Sequence, residues 1–190
     1  ACWSTPFFSS DKKLLGTFGI YVPEQRGPRP EEQELIQFTA SLAAFLIERS
    51  EAKTQMDLLS KAVQQSPVAV LLCDAEGKVT YVNQKFAALT GLRTTEVIGA
   101  LLPDIYPADL RDDVLAQLRR VQHGTELVSG QYKILCGNGL FYWQSYCLRR
   151  IVDEQQQLSH LLLEIEDITQ QKETEQQLIF SELRFRTLLD

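Results

Sequence analysis

Few of the 190 side chains can do covalent or metal chemistry, and their spacing decides what that chemistry would be. The histidines are His123 and His160, and the cysteines are Cys2, Cys73, Cys136 and Cys147. There is no CxxC pair and no histidine at ligand spacing from a cysteine, so neither a structural zinc nor a disulfide framework is expected. Cys73, within VAVLLCD, reads as a small core residue in a reducing compartment, which points to the cytoplasm. The carboxylate pairs are Asp74/Glu76, Asp112/Asp113 and Glu164/Glu166. Adjacent helical positions diverge, which makes Asp112 and Asp113 a solvated face. Glu164 and Glu166 share a strand face opposite Leu163 and Ile165, so they too point to solvent. With no Ser-His-Asp set and no Gly-rich phosphate loop beside them, these residues support binding rather than catalysis, and the segment is not expected to be an enzyme.

Composition narrows the class further. Nineteen Lys+Arg against 25 Asp+Glu give a net charge of -6, with 44% apolar and 23% charged residues. Those proportions exclude collagen-like, disordered and disulfide-rich chains. An acidic chain with no basic run has no surplus cations for phosphates, so nucleic acid is not an expected partner. The apolar run VAVLLC falls far short of the ~18 residues of a membrane span, and none is expected in this segment. ACWSTPFFSSDKK has neither a basic nor a sustained apolar leader region, and reads as an internal stretch of something longer.

These residues must be positioned by a mixed set of elements. CWSTPFF and the alternating LLGTFGIYV flank the turn SSDKK as a strand pair. PEQRGPRP stops the strand, and Pro30 with Glu31 and Glu32 opens a helix. Apolar residues then recur every three or four positions through Leu35, Phe38, Leu42 and Phe45, and Ala52, Met56, Leu59 and Val63 continue at spacings of seven, four, three and four, with no Gly or Pro before Pro67. That predicts one helix of about 35 residues, well beyond the ~11–12 residue mean. VAVLLC and KVTYV around Asp74-Ala75-Glu76-Gly77 predict a hairpin. Asn83 caps a short helix stopped at Gly91. A further turn of helix starts at Thr94/Thr95, the loop LLPDIYP follows, and Ala108–His123 forms a helix with Leu110, Val114, Leu118 and Val121 on one stripe. Three strands at 126–136, 140–150 and 158–167 come next, the first two joined at Asn138-Gly139. Asp167, with Gln170 three residues on, opens a last helix in capping-box geometry. Strands and segregated helices in this order make the chain α+β.

An ordered set of motifs runs over residues 66–172: Ser66-Pro67, Asp74-x-x-Gly77, YVNQKFAALTG at 81–91, Glu96-Val97-Ile98-Gly99, Trp143, and Asp167-Ile168-Thr169 followed by Lys172 and Glu175. This set resembles the PAS domain, a sensor module common in bacterial signalling proteins. The resemblance implies a five-stranded antiparallel sheet with helices on one face, flanked here by long linker helices. SELRFRTLLD at 181–190 looks like the opening of another PAS repeat. Residues 1–50 resemble the C-terminal part of a GAF domain, a related sensor fold. The implied order is a GAF tail at 1–50, a linker helix at 51–65, a PAS domain at 66–168 and an output helix at 169–190. Similar chains end in a GGDEF/EAL cyclic-di-GMP or histidine-kinase output, whose motifs do not occur in these residues. What is implied is a sensory and relay segment, with an output domain further along the same chain. The linker helices suit a homodimer, although Arg49 and Ser60 interrupt the seam.

In the PAS pattern the Trp143 position points away from the groove between helices and sheet, so Tyr142, Gln144, Tyr146 and Leu148 face in. With Tyr132 and Ile134 before them and Leu161, Leu163 and Ile165 on the last strand, they form an apolar wall with a few polar handles. The wall either binds a small molecule or simply packs the core. Flavin photochemistry of the family's covalent kind requires a cysteine that GALLPDIYPADL lacks. Haem is not expected, because His123 stands at a helix end where it caps carbonyls. Non-covalent flavin stays open through Gln144 and the tyrosines. Asn83, Asp167 and Thr169 are the expected relay residues. The domain either senses a small molecule or redox cue, or serves as a ligand-free dimerisation spacer.

Overall fold

The computed structural model describes residues 1–135 and 141–189, with side chains through Ser181. The predicted Asn138-Gly139 turn, Cys136, and the outer part of the last helix's apolar stripe lie outside the described residues and side chains.

The chain divides into two compact units, Ala1–Lys61 and Ala62–Asp190. In the first, β1 (Cys2–Phe8) and β2 (Leu14–Tyr21) pair antiparallel, and α1 (Pro30–Gln64) follows as a single 35-residue helix that runs on into the second unit. The Pro-rich loop between strand and helix is fixed by Arg26, which donates to Glu24 at 2.8 Å and to Glu32 at 2.7 Å and lies over the Trp3 ring. Hydrogen bonds from Arg26 hold the Glu32 carboxyl down at about 2.

The second unit contains β3 (Ala69–Asp74), β4 (Val79–Val82), α2 (Gln84–Thr90), α3 (Thr94–Val97), a 3-10 turn at Leu102–Ile105, α4 (Arg111–Gln122), β5 (Leu127–Leu135), β6 (Phe141–Val152), β7 (Leu158–Asp167) and α5 (Thr169–Leu189). The five strands form one antiparallel sheet in the order β4-β3-β7-β6-β5. The sequence LLPDIYP, expected as loop, is tightened into the 3-10 turn, with Leu102 and Pro103 buried. Strand alternation sends Ala69, Leu71 and Cys73, and Leu161, Leu163 and Ile165, to one face, where they meet Phe86, Val97, Leu102, Val114, Leu118 and Val121. The opposite face takes Glu164, which pairs with Arg149 at 2.8 Å. In the turn after β3, Gly77 has φ +91, and a Cβ there would come within 2.8 Å of Leu118, so both conformation and space call for glycine.

Asn83 joins these layers. Fully buried, it accepts from the N–H groups of Val70 (2.9 Å) and Phe86 (3.0 Å) and donates to the carbonyls of Val63 (3.0 Å) and Val68 (2.9 Å). One amide thus caps α2, aligns β3 and holds the end of α1. Two predictions follow from this packing. Leaving several buried backbone groups unpaired costs about 1–3 kcal/mol each, so Asn83→Ala is expected to lower the unfolding free energy by about 3 kcal/mol in urea denaturation followed by circular dichroism; a loss below about 1 kcal/mol would count against the hub. Burial pushes the Cys73 thiol up to about 12, so at pH 8 iodoacetamide is expected to label exposed Cys2 and to reach Cys73 only on unfolding, as read by peptide mass spectrometry.

Candidate ligand-binding site and helix anchor

A cavity of about 230 Å³ lies between the sheet and the helical layer. Its floor is Ile134 of β5, Tyr142 and Gln144 of β6 and Ile165 of β7; its other walls are Phe86 and Thr90 of α2, Leu92, and Ile105, Tyr106 and Pro107 of the 3-10 turn and its exit, with Leu135 at the rim. No described lining residue carries a charge. At 1% exposure Gln144 would be costly there without partners, and it has two: Nε2 donates to the Tyr106 hydroxyl oxygen at 2.9 Å, and Oε1 accepts from the Tyr142 hydroxyl at 2.9 Å. Desolvation pushes the Tyr106 hydroxyl above its ordinary range despite the Gln144 bond, so it stays protonated.

A second space, beyond Tyr106, is almost filled. The Tyr132 ring stacks on Tyr146 at 4.7 Å between centroids and meets Tyr106 edge-on at 6.1 Å. Tyr146 can lie there because its cross-strand partner is Gly130, where a Cβ would sit 2.8 Å from the Tyr146 hydroxyl. The Tyr132 hydroxyl donates to the Asp113 carboxylate of α4 and lies 3.3 Å from the Tyr146 hydroxyl. This corrects the reading of Asp113 as a purely solvated residue: the helix face that exposes it also carries it to the edge of β5. Desolvation and the Asp113 bond together push the Tyr132 hydroxyl upward.

The wall residues expected from strand alternation therefore separate. Ile134, Tyr142, Gln144 and Ile165 border the cavity; Tyr132, Tyr146, Leu148 and Leu163 surround the filled space; Leu161 is solid core beneath the sheet centre. The helical wall, Phe86, Thr90, Leu92, Ile105, Tyr106 and Pro107, was not legible from strands alone. Its signal was the apolar LLPDIYP between two helices, too hydrophobic for a solvated loop. His123 Nδ1 lies 2.7 Å from the Arg119 carbonyl, at the end of α4, and His160 is exposed. Among the described residues no group of three or more His, Cys, Asp or Glu is placed to hold a metal, and no helix is long and apolar enough to cross a membrane.

The start of α5 is tied to the sheet beside the cavity. Asp167 Oδ1 accepts from the Thr169 N–H at 2.9 Å and from its hydroxyl at 2.6 Å, so the described bonds of this carboxylate run to Thr169 rather than to the expected Gln170. Thr169 Oγ1 in turn accepts from the Trp143 N–H at 2.9 Å, and the Trp143 carbonyl accepts from the Ile168 N–H at 2.9 Å. Trp143 faces away from the cavity, with Lys172 of α5 over its ring at 5.7 Å. Gln144 is its chain neighbour and the cross-strand partner of Asp167.

Comparisons with known proteins agree with this architecture. A methyl sulfide methyltransferase-associated sensor of Methanosarcina acetivorans is 29% identical over 128 residues, 64% of this chain and 13% of that protein. Sporulation kinase C of Bacillus subtilis is 28% identical over 152 residues, 78% of this chain and 33% of that one. The chain thus spans at most a third of the length of these relatives. The PAS domain structure of a Colwellia psychrerythraea protein superposes with a TM-score of 0.54 at 18% identity, covering 60% of this chain and 98% of that one. The model of the PAS fold family matches residues 63–173, more than half of the chain, and this protein belongs to that family.

Proposed function

We propose that this chain is a sensory and relay segment of a signal-transduction protein, in which occupancy of the cavity at Gln144 is transmitted to α5. One observation carries the reading: Gln144, on the cavity floor, is covalently next to Trp143, whose two backbone groups hold Ile168 and Thr169 at the helix start. A change in the floor need travel only one residue along β6 to reach the anchor. α5 then carries the shift as a small rotation or register change to a downstream output domain. The sensor and kinase among the relatives fit a signalling role. The segment binds and relays without catalysing, in the cytoplasm, and its cue is a small molecule; non-covalent flavin suits it less well, since the cavity is below the about 300–1,000 Å³ of drug-sized sites. The hairpin and the first half of α1 are read as the tail of a GAF domain, the output being of cyclic-di-GMP or histidine-kinase type.

A second reading rests on α1. Leu35, Phe38, Leu42 and Phe45 are exposed at spacings of three, four and three residues, and Met56 and Leu59, three apart, are exposed further along the same helix. A second copy laid along this seam would cover it, giving a homodimer whose PAS domain acts as a spacer, with or without a ligand.

Asp167→Ala is expected to speed hydrogen exchange of the first two turns of α5 at least fivefold while the β3 and β7 amides stay protected. Unchanged exchange in α5 would contradict the relay, and loss of sheet protection would show that Asp167 serves folding instead. For the dimer, the double change Met56→Asp with Leu59→Asp is expected to convert a sedimenting dimer to a monomer; a wild-type monomer at every concentration would remove that reading.

A further inference from the structure

We infer that the cavity is selective for a small uncharged molecule carrying a hydrogen-bond acceptor, such as a cyclic ketone, and that Tyr106 is the residue that recognises it. This rests on the proposal that the cavity is a sensing site, and it names the class of ligand. Two observations lead to it. The described lining holds no charged residue, so an ionised ligand would shed its hydration and meet no counter-ion. The polar groups on the floor are already committed in one direction. Gln144 Nε2 donates to the Tyr106 oxygen, and Tyr142 donates to Gln144 Oε1. Because the Tyr106 oxygen accepts, its own O–H is directed elsewhere, and no described hydrogen bond uses it. Tyr106 lines the cavity, and burial keeps its hydroxyl protonated, so its O–H is available as a donor to a molecule that enters. Thr90, the other hydroxyl in the wall, is spent on the Phe86 carbonyl of its own helix at 2.9 Å. An acceptor completes the Tyr142–Gln144–Tyr106 chain of hydrogen bonds, whereas a hydrocarbon leaves its last donor unpaired.

The test uses the 190-residue chain, methyl-labelled for NMR, with three probes on one ring skeleton: cyclohexanone, cyclohexylammonium and cyclohexanecarboxylate. Xenon under pressure first reports whether the cavity is open, through the Ile134 and Ile165 methyls. Cyclohexanone is expected to shift the same methyls, both ions to bind at least tenfold more weakly, and Tyr106→Phe to weaken cyclohexanone by about tenfold while xenon still enters. If xenon enters but an ion binds as tightly as the ketone, or the ketone does not bind, or Tyr106→Phe changes nothing, the ligand class is wrong and the sensing cavity survives. If xenon does not reach the two methyls, the cavity is closed, and both the ligand class and the sensing reading fall.

Discussion

An amide placed in the apolar floor of a sheet must keep its hydrogen bonds, because each buried polar group left unpaired costs about 1–3 kcal/mol. Gln144 meets that demand with two tyrosines from different parts of the chain, Tyr142 two residues away on the same strand and Tyr106 at the exit of the 3-10 turn. The requirement fixes where the turn sits above the sheet. Leu102 and Pro103 anchor that turn in the core, and Ile105 and Pro107 follow as cavity wall. A leucine at the Gln144 position would pack against its neighbours without specifying any of this. The hollow persists because the layers around it are held by directional bonds: the Tyr106–Gln144–Tyr142 chain on the β6 side, the four-bonded Asn83 on the β3 side.

The same alternation that sends Gln144 inward sends Trp143 outward, and the proposed relay rests on this pairing. Side chains of a strand divide between faces, but its backbone belongs to both. Trp143 therefore bonds the start of α5 through its N–H and carbonyl, although its ring points away from the cavity. A ligand can shift the α5 anchor only by as much as it prefers one arrangement of the floor over another, about 1.4 kcal/mol for each tenfold in population. Rearranging a short chain of hydrogen bonds is of that size, so no large motion of the sheet is required.

Much of the fold was legible because local signals were strong and agreed. The period-two strands, the Asn83 cap with Gly91, the uninterrupted 35-residue helix and the Asp167-Ile168-Thr169 junction all appear where their residue types put them. The division of the inward wall into cavity and packed space was not legible, since it depends on facts that no single strand carries. Gly130 admits the Tyr146 ring, Tyr132 covers it, and Asp113 reaches across from α4; together they fill one half of the groove. The other half holds the cavity, bordered on its helical side by Phe86, Thr90, Leu92, Ile105, Tyr106 and Pro107 and on its sheet side by Ile134, Tyr142, Gln144 and Ile165. Asp113 shows the limit of face arithmetic: an exposed carboxylate at a helix edge still finds a tyrosine on the neighbouring strand.

The relay stands most directly on the response of the Ile168 and Thr169 backbone amides while cyclohexanone or xenon fills the cavity. NMR shifts are predicted to run from Ile134 and Ile165 through Gln144 and Trp143 into the first turn of α5, leaving the β1–β2 hairpin still. Shifts confined to the cavity wall, with Ile168, Thr169 and the rest of that first turn unmoved, would contradict it.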